Sequence, residues 1–253
     1  VTITFLGTGT SQGVPVIACD CEVCTSTDTH DKRLRASIMI QAEDKTVVID
    51  SGPDFRFQML REKVKHLDAI MYTHEHKDHI AGMDDIRAFN YSQNTLIDIY
   101  ATERVQTALK REFAYVFSEY KYPGIPQVNM YTIGPNPFDI GRLQFIPIEV
   151  MHYKLPILGF RIGDFTYITD AKTISATETE KIRGTKVLVI NALQTQSHVA
   201  HFTLDEAIIF AQKIGAEQTY LTHISHNLGL YNTVSKQLPA GIELAFDGLK
   251  FTM

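Results

Sequence analysis

Apolar and polar positions alternate along the chain in short strand-like runs and longer helical ones. Val1 to Leu6, 36–41 and 46–50 read as strands, 53–63 as a helix and 67–72 as a strand, with another strand from Asn94 to Tyr100. Val105, Leu109, Phe113 and Phe117 recur at four-residue spacing, which gives one apolar face and predicts a helix over 103–118. The second half repeats the theme, with strands around 128–132, 143–151, 157–162, 165–169 and 186–190. Thr203-Leu204-Asp205-Glu206 has the form of a capping box and predicts a helix to about Gly215. Strands at 218–222, 242–246 and 249–252 close the sequence. No linker, low-complexity tract or short repeat interrupts it, so one domain is expected over 1–253.

Within this pattern residues 74–79 stand apart: His74-Glu75-His76-Lys77-Asp78-His79 follows the apolar run Leu67 to Thr73 and precedes Ile80-Ala81-Gly82-Met83. Imidazoles and a carboxylate crowded at the end of a strand are suited to divalent cations. A turn into a helix near Asp78 and His79 would aim the His-x-His and Asp-His pairs at two adjacent points, hence at two metals. A solvated polar loop is the bland alternative, and it accounts poorly for four potential ligands in six residues.

The run resembles the signature of the metallo-β-lactamase superfamily, His-x-His-x-Asp-His, and the resemblance extends over almost the whole chain. It implies a four-layer αββα sandwich, within the α/β class, with a metal cleft between two sheets. It also implies later ligands in a fixed order. His152 after Phe145 to Met151, Asp170 after Phe165 to Thr169, and His223 after Thr219 to Thr222 are the candidates. By this analogy His74, His76 and His152 hold the first metal, Asp78, His79 and His223 hold the second, and Asp170 bridges them. Asp50 in Asp50-Ser51-Gly52 matches a position that supports the metal loop through hydrogen bonds. His201, two residues before the predicted helix cap, matches the place of a histidine that protonates a leaving oxygen in phosphodiesterase branches. His201 and Asp78 are therefore the candidate catalytic residues, with His198 a competitor for the acid role.

The three cysteines all fall in Cys19-Asp20-Cys21-Glu22-Val23-Cys24. An odd number so closely spaced makes no disulfide framework. Three thiolates on one loop call instead for a fourth ligand and a structural zinc. His226 is the candidate, since in an extended chain His223 and His226 point to opposite faces. Three inert, reduced thiols are the alternative, against which Asp20 and Glu22 argue. With Gly7 to Pro15 before it, this element narrows the resemblance to the branch containing cyclic phosphodiesterases of the carbon–phosphorus lyase pathway, which act on a phosphoribosyl 1,2-cyclic phosphate. The glycine-rich opening lacks the Gly-Lys-Ser/Thr of a Walker loop.

Composition refines the function class. The 253 residues are 44% hydrophobic, too apolar for disorder, and carry a formal charge of −5 from 24 Lys plus Arg against 29 Asp plus Glu. No basic footprint for a nucleic-acid partner is present. Neither a secretory leader nor a membrane-length apolar run is seen, and closely spaced cysteines agree with a reducing cytoplasm. The expectation is a hydrolase of small phosphodiesters, cyclic ones included, with two divalent metals (zinc or manganese) and one structural zinc. A tRNA 3′-processing type of endoribonuclease and a lactone or thioester hydrolase are the alternatives. Tyr120 and Tyr122 could line a substrate mouth or a homodimer contact, and Arg87 is expected in a salt bridge with its acidic neighbours. His30 and His66 are read as surface residues.

Overall fold

A computed structural model describes residues 1–42, 45–120 and 122–253. The chain forms two compact units, one of residues 1–7, 37–134 and 248–253, the other of residues 8–36 and 135–247.

The first unit is built on a mixed sheet of seven strands: β1 (Thr2–Gly7), β2 (Ser37–Ala42), β3 (Lys45–Ile49), β4 (Ala69–Met71), β5 (Ile97–Ala101), β6 (Val128–Thr132) and, from the end of the chain, β14 (Lys250–Thr252). Their spatial order is β14-β1-β2-β3-β4-β5-β6. The β14, β1, β2 and β3 pairs are antiparallel and the β3, β4, β5 and β6 pairs parallel. Val47, Val48 and Ile49 are all fully buried, as a central strand covered on both faces requires. Helices Phe55–Arg61 and Glu103–Glu112 are laid against the sheet, and Leu6, Val48, Phe55, Ile70, Tyr72 and Met83 belong to one core.

The predicted helix over 103–118 is two. The first ends at Glu112, Phe113 leaves helical geometry at φ −117° and ψ 44°, and a short turn covers Ala114–Phe117. Phe113 and Val116 are nevertheless buried in the same core, so the four-residue spacing identified the face but not the break.

The second unit carries β7 (Phe138–Ile140), β8 (Leu143–His152), β9 (Leu155–Ile162), β10 (Phe165–Tyr167), β11 (Val187–Asn191), β12 (Gln218–Thr222) and β13 (Ile242–Leu244), in the order β13-β12-β11-β10-β9-β8-β7. Again one side is antiparallel (β7 to β10) and the other parallel (β10 to β13). The capping box at Thr203 and Glu206 is present and starts the helix Leu204–Ile214, which stops at Gly215 in the left-handed conformation. Its Ala207 and Ala211 face join Ile148, Ile190 and Leu221 in the core. Asp50, His74, Asp170 and His223 follow the carboxyl ends of strands with a parallel neighbour, where open α/β sheets collect ligands, whereas His152 ends the antiparallel β8. Among the described residues, no helix is long and apolar enough to cross a membrane.

Candidate metal centre

In the first unit β4 runs into Tyr72, Thr73 and His74, and β3 into Asp50. Asp50 is fully buried, sits at φ 66°, and gathers the loop onto itself. Its Oδ1 accepts from the Thr73 N–H at 2.9 Å, and its Oδ2 accepts from the Thr73 hydroxyl at 2.8 Å and from His79 Nδ1 at 2.7 Å. Burial pushes the Asp50 carboxyl up, and His79 and Thr73 oppose that rise. Because the Thr73 hydroxyl spends its proton on Asp50, its lone pair receives His74 Nδ1–H at 2.9 Å. These contacts set two tautomers at once, leaving the Nε2 lone pairs of His74 and His79 for a ligand.

The second turn of this unit is locked by close packing. A Cβ at Gly82 would lie 2.2 Å from the Gly52 carbonyl oxygen and 2.6 Å from Phe55 Cβ, while the Gly82 N–H donates to Ser51 O at 2.8 Å. Only glycine lets the exit of the histidine loop touch the Asp50-Ser51-Gly52 turn. Glu75, between the first two histidines, is drawn aside by Arg104 at 3.1 Å.

In the second unit His152 ends β8, and its Nδ1–H donates to Ala200 O at 3.0 Å, again leaving Nε2 for a ligand. Asp170 follows β10 at φ 57° and His223 follows β12 at φ 55°. Left-handed conformations at non-glycine residues cost about 1–3 kcal/mol each and persist where the surroundings over-determine them. For Asp170 that determinant is Asn191 at the end of β11. Its Oδ1 accepts from the Ala171 N–H at 2.7 Å and its Nδ2 donates to Ala171 O at 3.0 Å. Thr169 Oγ1 donates to Asp170 Oδ1 at 2.6 Å.

His201 lies among the imidazoles of this unit, with ring centroids 4.6 Å from His152, 4.9 Å from His223 and 5.0 Å from His198. Burial, then His223, His152 and His198, lower its pKa to about 3, against the pull of Asp170. Its Nδ1 is buried and makes no hydrogen bond among the described residues. The Nδ1 of His198 accepts from the Ala200 N–H at 3.2 Å, and burial likewise lowers that ring's pKa.

The donor spacings within each unit fit shared cations. Ligand atoms at about 2.0–2.1 Å from one ion, at angles of roughly 90–110°, lie about 2.9–3.4 Å apart. His74 Nε2 and His76 Nδ1 are 3.0 Å apart, Asp78 Oδ2 and His79 Nε2 3.1 Å, and Asp170 Oδ1 and His223 Nε2 3.0 Å. His152 and Asp170 also offer ligand atoms within 4.8 Å of each other.

The cysteine cluster, wholly in the second unit, brings four donors together. The Sγ atoms of Cys19, Cys21 and Cys24 lie 3.3, 3.4 and 3.5 Å from His226 Nδ1. A tetrahedral zinc holding sulfur at about 2.3 Å and nitrogen at about 2.0 Å would separate them by about 3.5 Å. The Cys24 N–H, with His226 assisting, holds the exposed Cys21 thiol down at about 6. Burial pushes Cys24 up to about 11, opposed by the Val16 N–H. The chain between His223 and His226 is not a simple extended strand: His223 is left-handed, Ser225 extended, and His226 opens a single 3-10 turn.

Outside these clusters, Arg87 pairs with Asp84 at 3.2 Å as expected. Tyr120 and Tyr122 are exposed and line a cavity of about 760 Å³ with Tyr91, Tyr115 and Arg87. His66 is exposed and pairs with Asp68 at 3.2 Å. His30 departs from the surface reading: half-buried, it stacks on Tyr231 at 4.5 Å and pairs with Asp28 at 2.7 Å. Asn191 and Gly82 were not singled out from the sequence. A lone asparagine at a strand end and a glycine after a helix carry no motif, and only tertiary packing discloses their parts.

Comparison with known proteins follows this geometry. Residues 45–224 match the β-lactamase superfamily domain. The chain is 39% identical over 249 residues to a protein of Porphyromonas gingivalis named octanoyltransferase, covering 97% of this chain and 50% of that one. It is 24% identical over 168 residues to a ribonuclease Z of a Nostoc species, covering 64% of this chain and 46% of that one. The chain thus spans about half the length of the curated relatives it matches. Among solved structures, a diphosphatase of the PhnP family matches at 43% identity and a TM-score of 0.94, covering 100% of this chain and 97% of that one. Zinc-bound PqqB of Methylobacterium extorquens shares the fold at 16% identity and a TM-score of 0.81, with both chains covered in full.

Proposed function

This chain belongs to the metallo-β-lactamase superfamily and is a hydrolase, and we propose that it is a dinuclear metal-dependent phosphodiesterase of small phosphodiesters, cyclic ones included. The observation that carries the reading as a hydrolase of phosphoryl compounds is likeness over the full length to a PhnP-family diphosphatase, at 43% identity. The donor spacings of about 3 Å in the histidine and aspartate pairs support it.

On the superfamily's ligand order, His74, His76, Asp78, His79, His152, Asp170 and His223 are the residues that would hold two cations. Zinc and manganese both suit this nitrogen and oxygen set. The chemistry such a pair supplies when bound is acidification of a water and neutralisation of charge on the phosphoryl oxygens. The chain's own residues do the rest. Asp50 and Thr73 fix the tautomers of His79 and His74, and Asn191 fixes the backbone beside Asp170. His201 delivers a proton to the departing alkoxide. Burial and the neighbouring imidazoles hold the pKa of its ring well below the usual histidine range, and an anionic substrate beside the ring favours the charged imidazole. Cys19, Cys21, Cys24 and His226 hold a structural zinc. The formal charge of −5 supports a small substrate, since a polyanion would gain no long-range attraction.

A second reading, cleavage of a diphosphate linkage, is favoured by the PhnP-family neighbour's being a diphosphatase. The relative named octanoyltransferase keeps an acyl substrate in view. Metal-loaded protein assayed against bis-p-nitrophenyl phosphate, a diphosphate diester, an acyl thioester and a lactone separates these. Turnover of the phosphodiester well above the others is expected. Negligible phosphodiester turnover beside rapid thioester cleavage would overturn the proposal.

A further inference from the structure

We propose that the thiolate cluster positions His223, so that filling Cys19, Cys21, Cys24 and His226 with metal strengthens metal binding at His223 and Asp170. The inference rests on the reading of His223 as a metal ligand.

Three positions separate His223 from His226, and the two residues between them have no slack. Ile224 is clamped on both sides: its N–H donates to Thr8 O at 2.8 Å, and its carbonyl accepts from the Thr10 N–H at 3.1 Å. Ser225 donates to Leu193 O twice, through N–H at 3.0 Å and through its hydroxyl at 2.9 Å. A displacement of His226 therefore does not dissipate in a flexible loop. It reaches a buried histidine at φ 55°, a conformation that depends on its surroundings.

The other half of the clamp leads into the cysteine loop. Thr8 to Thr10 continues through Gly13, whose N–H donates to Thr10 O at 2.8 Å, and through Val14, which exchanges two backbone bonds of 2.8 Å with Arg33. Gly9 passes so close to residue 33 that a Cβ would meet Arg33 Cβ and Arg33 O at 2.9 Å. The Thr8 hydroxyl donates to Asp247 at 2.7 Å and accepts from the buried Arg33 guanidinium at 2.8 Å. Arg33 also donates to Ala245 O at 2.6 Å. The cysteine loop and His226 thus approach the Ile224 clamp from two directions, and a metal shared by three thiolates and His226 closes the ring. An isolated staple would not need its histidine three residues from a second buried histidine on a doubly bonded segment.

The test measures metal affinity by competition with a chromophoric chelator on cobalt(II)-loaded protein, where thiolate-bound and nitrogen/oxygen-bound ions absorb differently. Cys21→Ser removes the most exposed thiolate. Thr8→Val removes the hydroxyl anchor without touching any ligand, and Thr8→Ser should restore it. Both Cys21→Ser and Thr8→Val are expected to weaken one nitrogen/oxygen-bound ion by about tenfold or more, the scale of lost supporting contacts. Wild-type affinity in both would overturn the coupling. Should Cys21→Ser not fold, stepwise titration of the native protein with an organomercurial gives the answer. A change in the nitrogen/oxygen-bound cobalt bands as the thiols are consumed supports the coupling, and unchanged bands overturn it. His223→Ala serves as the separate check: if it loses no metal, the ligand reading has failed rather than the coupling.

Discussion

Replacing Asp50 with asparagine changes one atom and one charge, and the hydrogen bonds around it allow the outcome to be worked through. If the amide nitrogen takes the Oδ1 place, it meets the Thr73 N–H, which donates there at 2.9 Å, and two donors face each other. If it takes the Oδ2 place, it meets His79 Nδ1 at 2.7 Å, and the imidazole must carry its proton on Nε2 instead. That is the atom 3.1 Å from Asp78 Oδ2, the one assigned to the metal. Either orientation loses a hydrogen bond to a buried carboxylate, worth about 1.5–3 kcal/mol. Loss of a partner that orients a metal-ligating histidine weakens binding by about 10–100-fold. At about 1.4 kcal/mol per tenfold the two estimates coincide. Burial already disfavours the Asp50 charge, so a neutral amide relieves part of that cost and the metal-free fold should suffer less than the metal site. Asp50→Asn should therefore show a fall in metal affinity of about 10–100-fold, with a smaller change in the melting temperature of the metal-free protein. Chelator competition and thermal melts with and without metal measure both. Wild-type affinity in a variant that folds normally would refute the tautomer argument.

Further expectations follow the same geometry. Gly82→Ala should cost about 1–3 kcal/mol of stability by overpacking, read from denaturant unfolding, because its Cβ would lie 2.2 Å from a carbonyl oxygen. The Glu206 carboxyl is held below its ordinary value of 4.5, burial opposing and Lys172 and Thr203 prevailing. Its contribution to stability is thus full above that value and lost as the pH falls through its lower folded value. Glu206→Gln should flatten that part of the acid limb in thermal melts. Under a limiting chelator, metal at the histidine and aspartate ligands should leave before metal at the cysteines, as counted by elemental analysis; the opposite order would contradict a closed thiolate site. His201→Ala should slow substrates with poor leaving groups more than p-nitrophenyl esters, and equal losses would remove it from the acid role.

Much of this architecture was legible because it is written in local patterns. The His-x-His-x-Asp-His run marks its own strand end, the three cysteines of one loop converge on His226, and the Thr203 capping box forms where its spacing says. His223 and His226 were readable as residues but not as a geometry, since the kinked path between them is imposed by Thr8, Thr10 and Leu193 from distant parts of the second unit. The helix Ala176–Ile182, absent from the expectation, is short and starts at Ser175, whose side chain accepts from the Glu178 N–H. Three-residue β7 was passed over because so short a run shows no period. Asn191 and Gly82 act only through partners far away in sequence, so nothing local announces them.

The most direct test of the central claim is to measure metal content and bis-p-nitrophenyl phosphate hydrolysis together, in the wild-type chain and in Asp170→Ala. Two nitrogen/oxygen-bound metals per chain beside the thiolate-bound one, with turnover that Asp170→Ala abolishes while the melting profile stays cooperative, is the predicted result. Undiminished turnover in Asp170→Ala, or cleavage confined to precursor tRNA and steeply dependent on salt, would contradict it.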